Sequence, residues 1–232
     1  AISGNTSEVT AALVTSGSLV EVSDATVTLS DTPSISALNA IAAKTTGVLT
    51  ATLAADSLSN LGSLSTASTD AITITVNDAD AASVTAANLS TLGGKTSGTV
   101  TVTNAVAISG NTSEVTAALV TSGSLVEVSD ATVTINDADG VALNATDLSA
   151  IGAKTTGTVT VTNAVAISGN TAQTTAALVT SGSLVEVSDA TVTLNDADGT
   201  ALNALDLSAI GAKTTGTVTV TNAVAISGNT SE

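Results

Sequence analysis

The sequence predicts a solenoid of tandem repeats, each coil carrying parallel β-strands and a short helix. An α/β-solenoid is the first expectation and an all-β solenoid its alternative. Three observations carry this. The phrase AISGNTSEVTAALVTSGSLVEVSDATVT occupies residues 1–28 and returns letter for letter at 107–134. It returns again at 166–193 with changes at only three positions, a period of about 59 residues. Within each period, strictly alternating stretches such as TVTVT at 158–162 are interleaved with helix-like ones.

Aligned on the lysine turns, the units run 1–47, 48–106, 107–165 and 166–224, and a fifth begins at 225–232. The first is shortened after Leu29, where Pro33, the only proline, stands near the place of the usual NDADG phrase. The second has diverged in its first half. Such divergence beside near-identity fits an array in which only neighbouring coils touch.

Taken in order through one period, residues 158–162 alternate as a half-buried strand does, and Asn163 marks a polar corner. A short apolar segment follows at 165–167. In the preceding period Asn111 opens a helix with Glu114 three residues on, a capping-box spacing, and Val115, Ala118 and Leu119 share one face. The triplet Thr121-Ser122-Gly123 ends that helix. The second half repeats the plan: a strand at 126–128, a corner at Ser129-Asp130, and a strand at 132–135. An Asp-rich loop, a helix bearing Leu148 and Ile151, and the turn Lys154-Thr155-Thr156-Gly157 then complete it. Each period is thus expected to form two coils, with strands stacked in parallel about 4.8 Å apart.

Composition removes most chemistry. The chain has no Cys, Met, Trp, Tyr, Phe or His, and its four cations are Lys44, Lys95, Lys154 and Lys213. Thiol, imidazole and disulfide chemistry are excluded, and so is aromatic stacking. Twenty carboxylates give a formal charge of −16, which repels nucleic acid and anionic membranes and favours divalent cations. No apolar run approaches the ~18 residues of a membrane span. Both termini fall inside the repeat phrase, so an excerpt of a longer protein is expected. Paired carboxylates are the one catalytic device left, but acids recurring identically from unit to unit point to structure or avidity.

Four local patterns are candidates for function. The acidic loops place Asp78 and Asp80, Asp137 and Asp139, and Asp196 and Asp198 in alternation, the last two pairs followed by glycine. Alternating carboxylates in a sharp turn are how short loops supply oxygens to calcium, with Asp147 or Asp206 as an added ligand. The register differs from an EF-hand loop, and the competing reading is a polar turn whose side chains cap local backbone. The stretch Gly93-Gly94-Lys95-Thr96 resembles a phosphate loop only superficially, since Leu89 stands where a glycine is required and the stretch closes a helix. The Thr-x-Thr series would form an ice-binding ladder, but Thr160 is expected beside Glu127 or Glu186, which breaks the lattice. Sequons at Asn5, Asn88, Asn111, Asn144 and Asn229 are expected by chance in this composition.

The phrases ALNATDLSAIGAKTTGTVTVTNAVAISGNTSEVTAAL and ATLAADSLSNLGSLSTASTDAITITVNDA resemble the repeats of giant cell-surface proteins of marine cyanobacteria and other aquatic bacteria. That group includes very large proteins associated with swimming motility, and the resemblance covers essentially the whole chain. It implies an extracellular, cell-surface location and a structural or adhesive role, and it carries over no catalytic residue. The resulting expectation is a non-enzymatic segment forming an elongated acidic rod in a surface layer, filament or adhesin stalk. Its partners would be neighbouring copies of the same protein, with calcium as the candidate ion. Adhesion to glycans or neighbouring cells is the alternative.

Overall fold

A computed structural model of the chain describes residues 1–17 and 20–229. The chain forms two compact units, one of residues 1–106 with 117–128, the other of 107–116 with 129–232.

In the first unit the chain runs β1 (Ile2–Gly4), α1 (Thr6–Leu13), β2 (Val27–Leu29), α2 (Ile35–Ala42), β3 (Leu49–Thr52) and α3 (Leu58–Leu61). It continues through β4 (Ala71–Val76), β5 (Ser83–Thr85), α4 (Ala86–Gly93) and β6 (Val100–Val102). One sheet runs in the order β1-β2-β3-β4-β6. Every pairing in it is parallel, with Ile2 beside Val27 and Val27 beside Leu49. β4 is long enough to serve two neighbours, its first half pairing with β3 and its second with β6.

The second unit holds β7 (Ala107–Gly110), the start of α5 (Thr112–Leu119), β8 (Thr132–Ile135), β9 (Ala142–Asn144), α6 (Ala145–Gly152) and β10 (Val159–Val161). Next come β11 (Ala166–Gly169), α7 (Thr171–Leu178), β12 (Val185–Glu186) and β13 (Thr191–Leu194). The last elements are β14 (Ala201–Asn203), α8 (Ala204–Gly211), β15 (Val218–Val220) and β16 (Ala225–Ser227). Here the strands fall into three parallel sheets: β12-β10-β8-β7, β15-β13-β11-β9 and β14-β16. Paired strands are therefore separated in the chain by one helix, whether they are immediate successors, as β7 and β8 are, or have a further strand between them, as β8 and β10 do. Parallel neighbours require such a crossover.

Stacking in register builds the core as columns of one side chain per strand. Ile108, Val133, Val159 and Val185 form one column, each about 1% exposed. Leu143, Ile167, Val192 and Val218 form the next. Burying each such side chain is worth about 1.5–3 kcal/mol. The β-branched, unbulky residues suit this because successive rungs leave room for little more.

The helices are mostly eight residues long, too short to hold alone in water, and are fixed by caps and packing. Asn5 with Glu8 and Asn170 with Gln173 form complete capping boxes. Asn111 and Glu114 exchange the same two bonds at 3.0 Å each. Val115, Ala118 and Leu119 are buried, as their spacing predicts.

Two differences from the expected elements appear. The short strands β5, β9 and β14 follow the acidic loops, where only loop and helix were expected. Residues 126–128 contribute a single bridge from Glu127 to Thr101, whereas the equivalent Val185-Glu186 pairs as a two-residue strand. The sequence at these places is identical or nearly so, and so is that of the partner strands Val100–Val102 and Val159–Val161. The Thr lattice is broken as expected, because Thr160 lies between Thr134 and Glu186.

Candidate functional site

The acidic loops follow β4, β8 and β13, and their geometry is set by one residue of left-handed backbone. Gly140 and Gly199 adopt φ +74° and +76°, and Ala81 takes the same role at φ +59°. The peptide N–H of that residue donates to the carbonyl of Ala164, Ala223 or Ala105 respectively, 2.8 Å in each case. The loop is thereby tied forward to the corner that follows the next lysine turn.

Its first aspartate reaches backward. Asp137 Oδ2 accepts from the Thr112 N–H at 2.7 Å and from the Thr112 hydroxyl at 2.6 Å. Asp196 Oδ2 does the same with Thr171, at 2.9 and 2.7 Å. Asp78 Oδ2 takes the N–H of Leu58 at 2.7 Å. Each of these donors is the first residue of a helix, so the carboxylate satisfies an N–H that the helix itself leaves open. It also lies at the favourable end of the helix dipole. The Asn cap takes a different N–H of the same helix, and the two caps do not compete.

The second aspartate reaches forward. Asp80, Asp139 and Asp198 accept from the N–H groups of Ala105, Ala164 and Ala223 at 3.1, 3.1 and 3.0 Å. From the same corners, the side-chain amides of Asn104, Asn163 and Asn222 donate to the carbonyls of Asp78, Asp137 and Asp196 at 2.6–2.7 Å. Each loop is a staple between a helix start 20 or 25 residues before it and a corner about 25 residues after it.

These six carboxylates are thus placed as acceptors of protein N–H and O–H groups. Among the described residues no group of three or more acidic side chains is gathered as a metal ion would need. Asp147 sits 3.3 Å from the side-chain nitrogen of Asn144. Asp206 lines an open groove of about 430 Å³ that Asp196 also borders.

One member of the set is not evident from the Asp-rich phrase. Asp31, in the shortened first repeat, accepts from the Thr6 N–H and hydroxyl, both at 2.7 Å. It stands 25 residues after Thr6, the separation of Asp137 from Thr112, and that spacing was the available signal. The Thr6 hydroxyl holds its carboxyl below the usual value of 3.8, opposed by slight desolvation and aided by backbone N–H groups. Asp70, 5% exposed, is a second missed residue; it accepts from Leu49 and Ala67 N–H at 2.8 Å each.

The stretch Gly93-Gly94-Lys95-Thr96 closes α4, as its reading as a helix end predicts. Lys95 Nζ donates to the Gly62 carbonyl at 2.7 Å, and Thr96 Oγ1 lies within 2.9 Å of the carbonyls of Asp70 and Ile72. Beside this turn lies a groove of about 500 Å³, bordered by Thr99, Ser122 and Glu127. The equivalent groove in the other unit, about 310 Å³, is bordered by Thr158, Ser181 and Glu186. Hydroxyls, one exposed carboxylate, a valine, a leucine and glycines line both.

Among the described residues no helix is long and apolar enough to cross a membrane. Set against family profiles, curated proteins and solved structures, the chain has no significant match.

Proposed function

We propose that this chain is a non-enzymatic structural segment, a run of α/β-solenoid coils within a large extracellular protein of a bacterial surface. The observation that carries the reading is the recurrence of one hydrogen-bonded staple. A helix N-terminus is tied to an aspartate 25 residues later at Thr6–Asp31, Thr112–Asp137 and Thr171–Asp196. Catalysis needs one distinguished site with groups in unequal environments. Here the acids recur with the same partners, the N–H and hydroxyl of a threonine that opens a helix. Repetition of that kind supports a scaffold whose stability is spread from coil to coil. The surface location and the self-associating partner rest on the resemblance of the repeats and on the strong acidity.

Removal of one whole repeat, residues 107–165, tests the architecture. The junction then reads as an uninterrupted repeat boundary, and the shortened chain should fold with a cooperative melt. A chain that no longer folds would show a single indivisible domain instead.

A second reading, glycan adhesion, draws support from the hydroxyl-lined grooves beside Glu127 and Glu186. Binding on a glycan array, lost in the double Gln variant, would establish it.

A further inference from the structure

We propose that the links Asp139–Gly140 and Asp198–Gly199 are the chain's sites of spontaneous isoaspartate formation, and that in each case one corner alanine suppresses the reaction by holding both reacting groups. The proposal goes beyond the scaffold reading and does not depend on it.

The chemistry singles out these two links. An aspartate isomerises when the peptide nitrogen of the next residue attacks its side-chain carboxyl carbon. A nitrogen–carbon bond forms, a carbon–oxygen bond breaks, and the carboxyl OH leaves with the amide proton as water. Water then reopens the cyclic imide at the main-chain carbonyl, so the chain runs through the former side chain with no net change in atoms. A following glycine, which carries no side chain, hinders that nitrogen least. The sequence has two Asp-Gly links and no Asn-Gly link. Asp139, Gly140, Asp198 and Gly199 are all exposed, and the space beside both glycines is open, so neither burial nor crowding protects them.

What restrains each link is a pair of hydrogen bonds to a single residue. The Gly140 N–H, whose nitrogen is the nucleophile, donates to the Ala164 carbonyl at 2.8 Å. Asp139 Oδ1, on the carbon that would be attacked, accepts from the Ala164 N–H at 3.1 Å. Ala223 holds Gly199 and Asp198 in the same way, at 2.8 and 3.0 Å. Attack requires the nitrogen to give up its proton and turn toward the carboxyl carbon, so both bonds must break first. The reaction therefore proceeds through local opening of the corner. Asn163 tightens that corner, its side-chain amide donating to the Asp137 carbonyl at 2.6 Å. In the divergent copy Ala105 makes the same two bonds, to Ala81 and Asp80. There the methyl group of Ala81 hinders attack, on a left-handed backbone of φ +59° that disfavours alanine. An isoaspartate would add one carbon to the main chain of the loop, and the lengthened loop would no longer present both groups to its alanine.

The full chain is aged at neutral pH, folded and in guanidinium chloride, and isoaspartate is located by peptide mapping with electron-transfer fragmentation. In denaturant it should collect at Asp139 and Asp198 and far less at Asp80. The folded chain should accumulate it about tenfold more slowly, or slower still. Asn163→Ala should speed the reaction at Asp139 and leave Asp198 at its wild-type rate. Hydrogen exchange on wild type supplies a readout that needs no variant: the Gly140 N–H should be protected, and warming should raise its opening and the isoaspartate rate together. Equal rates in folded and denatured chains, isoaspartate spread evenly over the Asp-Ala links, or a Gly140 N–H exchanging as fast as in denaturant would each overturn the proposal. A folded Asn163→Ala chain with an unchanged rate at Asp139 would overturn the corner's part in it.

Discussion

Asp137 accepts two hydrogen bonds from a single residue, Thr112, one from its N–H at 2.7 Å and one from its hydroxyl at 2.6 Å. This pairing couples a helix start to a loop 25 residues away, and it recurs at Asp31 and Asp196. The acidity of the chain is therefore partly structural.

Replacing Asp137 with Ala opens the first N–H of α5 and should cost about 1–2 kcal/mol. Asn keeps an acceptor oxygen and should cost less. Urea unfolding followed by circular dichroism ranks the two; equal midpoints for Ala and wild type would remove the staple from the account.

Calcium and chelator should give thermal midpoints within about 2 °C of one another, since the loop oxygens already hold protein donors. A larger calcium-dependent rise, lost when Asp137, Asp139, Asp196 and Asp198 become Asn, would make these loops ion sites as their alternating acids suggest.

Asp31 supplies a pH signature. Its folded carboxyl sits below the unfolded value of 3.8, so the folded state favours the charged form. The associated stability is present above about pH 4 and is lost as pH falls through the lowered folded value. The difference in melting midpoint between wild type and Asp31→Asn should hold at neutral pH and vanish in strong acid. A difference independent of pH would assign it to packing.

Thr174 is fully buried with its hydroxyl unpartnered, where the other copies carry Val9 and Val115. Thr174→Val should stabilise the chain by about 1–2 kcal/mol in urea unfolding. A neutral result would mean the hydroxyl finds a partner in solution.

The same Gly→Ala change should have opposite outcomes at two copies of one phrase. At Gly152 the new Cβ would overlap the Ser183 backbone, and at Gly211 it meets nothing. Gly152→Ala should destabilise by about 2 kcal/mol or more, and Gly211→Ala should leave the melt of the monomer unchanged.

Much of the local structure was legible in the letters. TVT alternation marks β8, β10 and β13, the Asn–Glu spacing marks the capped helices, and the lysine turns close helices where glycine and threonine place them. Such features depend on residues within about one turn of each other, which a sequence displays directly. The role of the aspartates was not legible, because their partners lie about 25 residues away and any short acidic turn looks alike. The three-residue strands β9 and β14 were also hidden, being too short to show a period and existing only where β11 and β16 pair with them.

By itself the sequence determined the repeat, its capped helices and its alternating strands, because propensity and capping are short-range. Tertiary structure alone decided which strands are neighbours, whether Val-Glu becomes a strand or a single bridge, and where each carboxylate finds its donors. Those outcomes depend on hydrogen bonds and burial between segments about 25 residues apart, which no short window of the sequence contains.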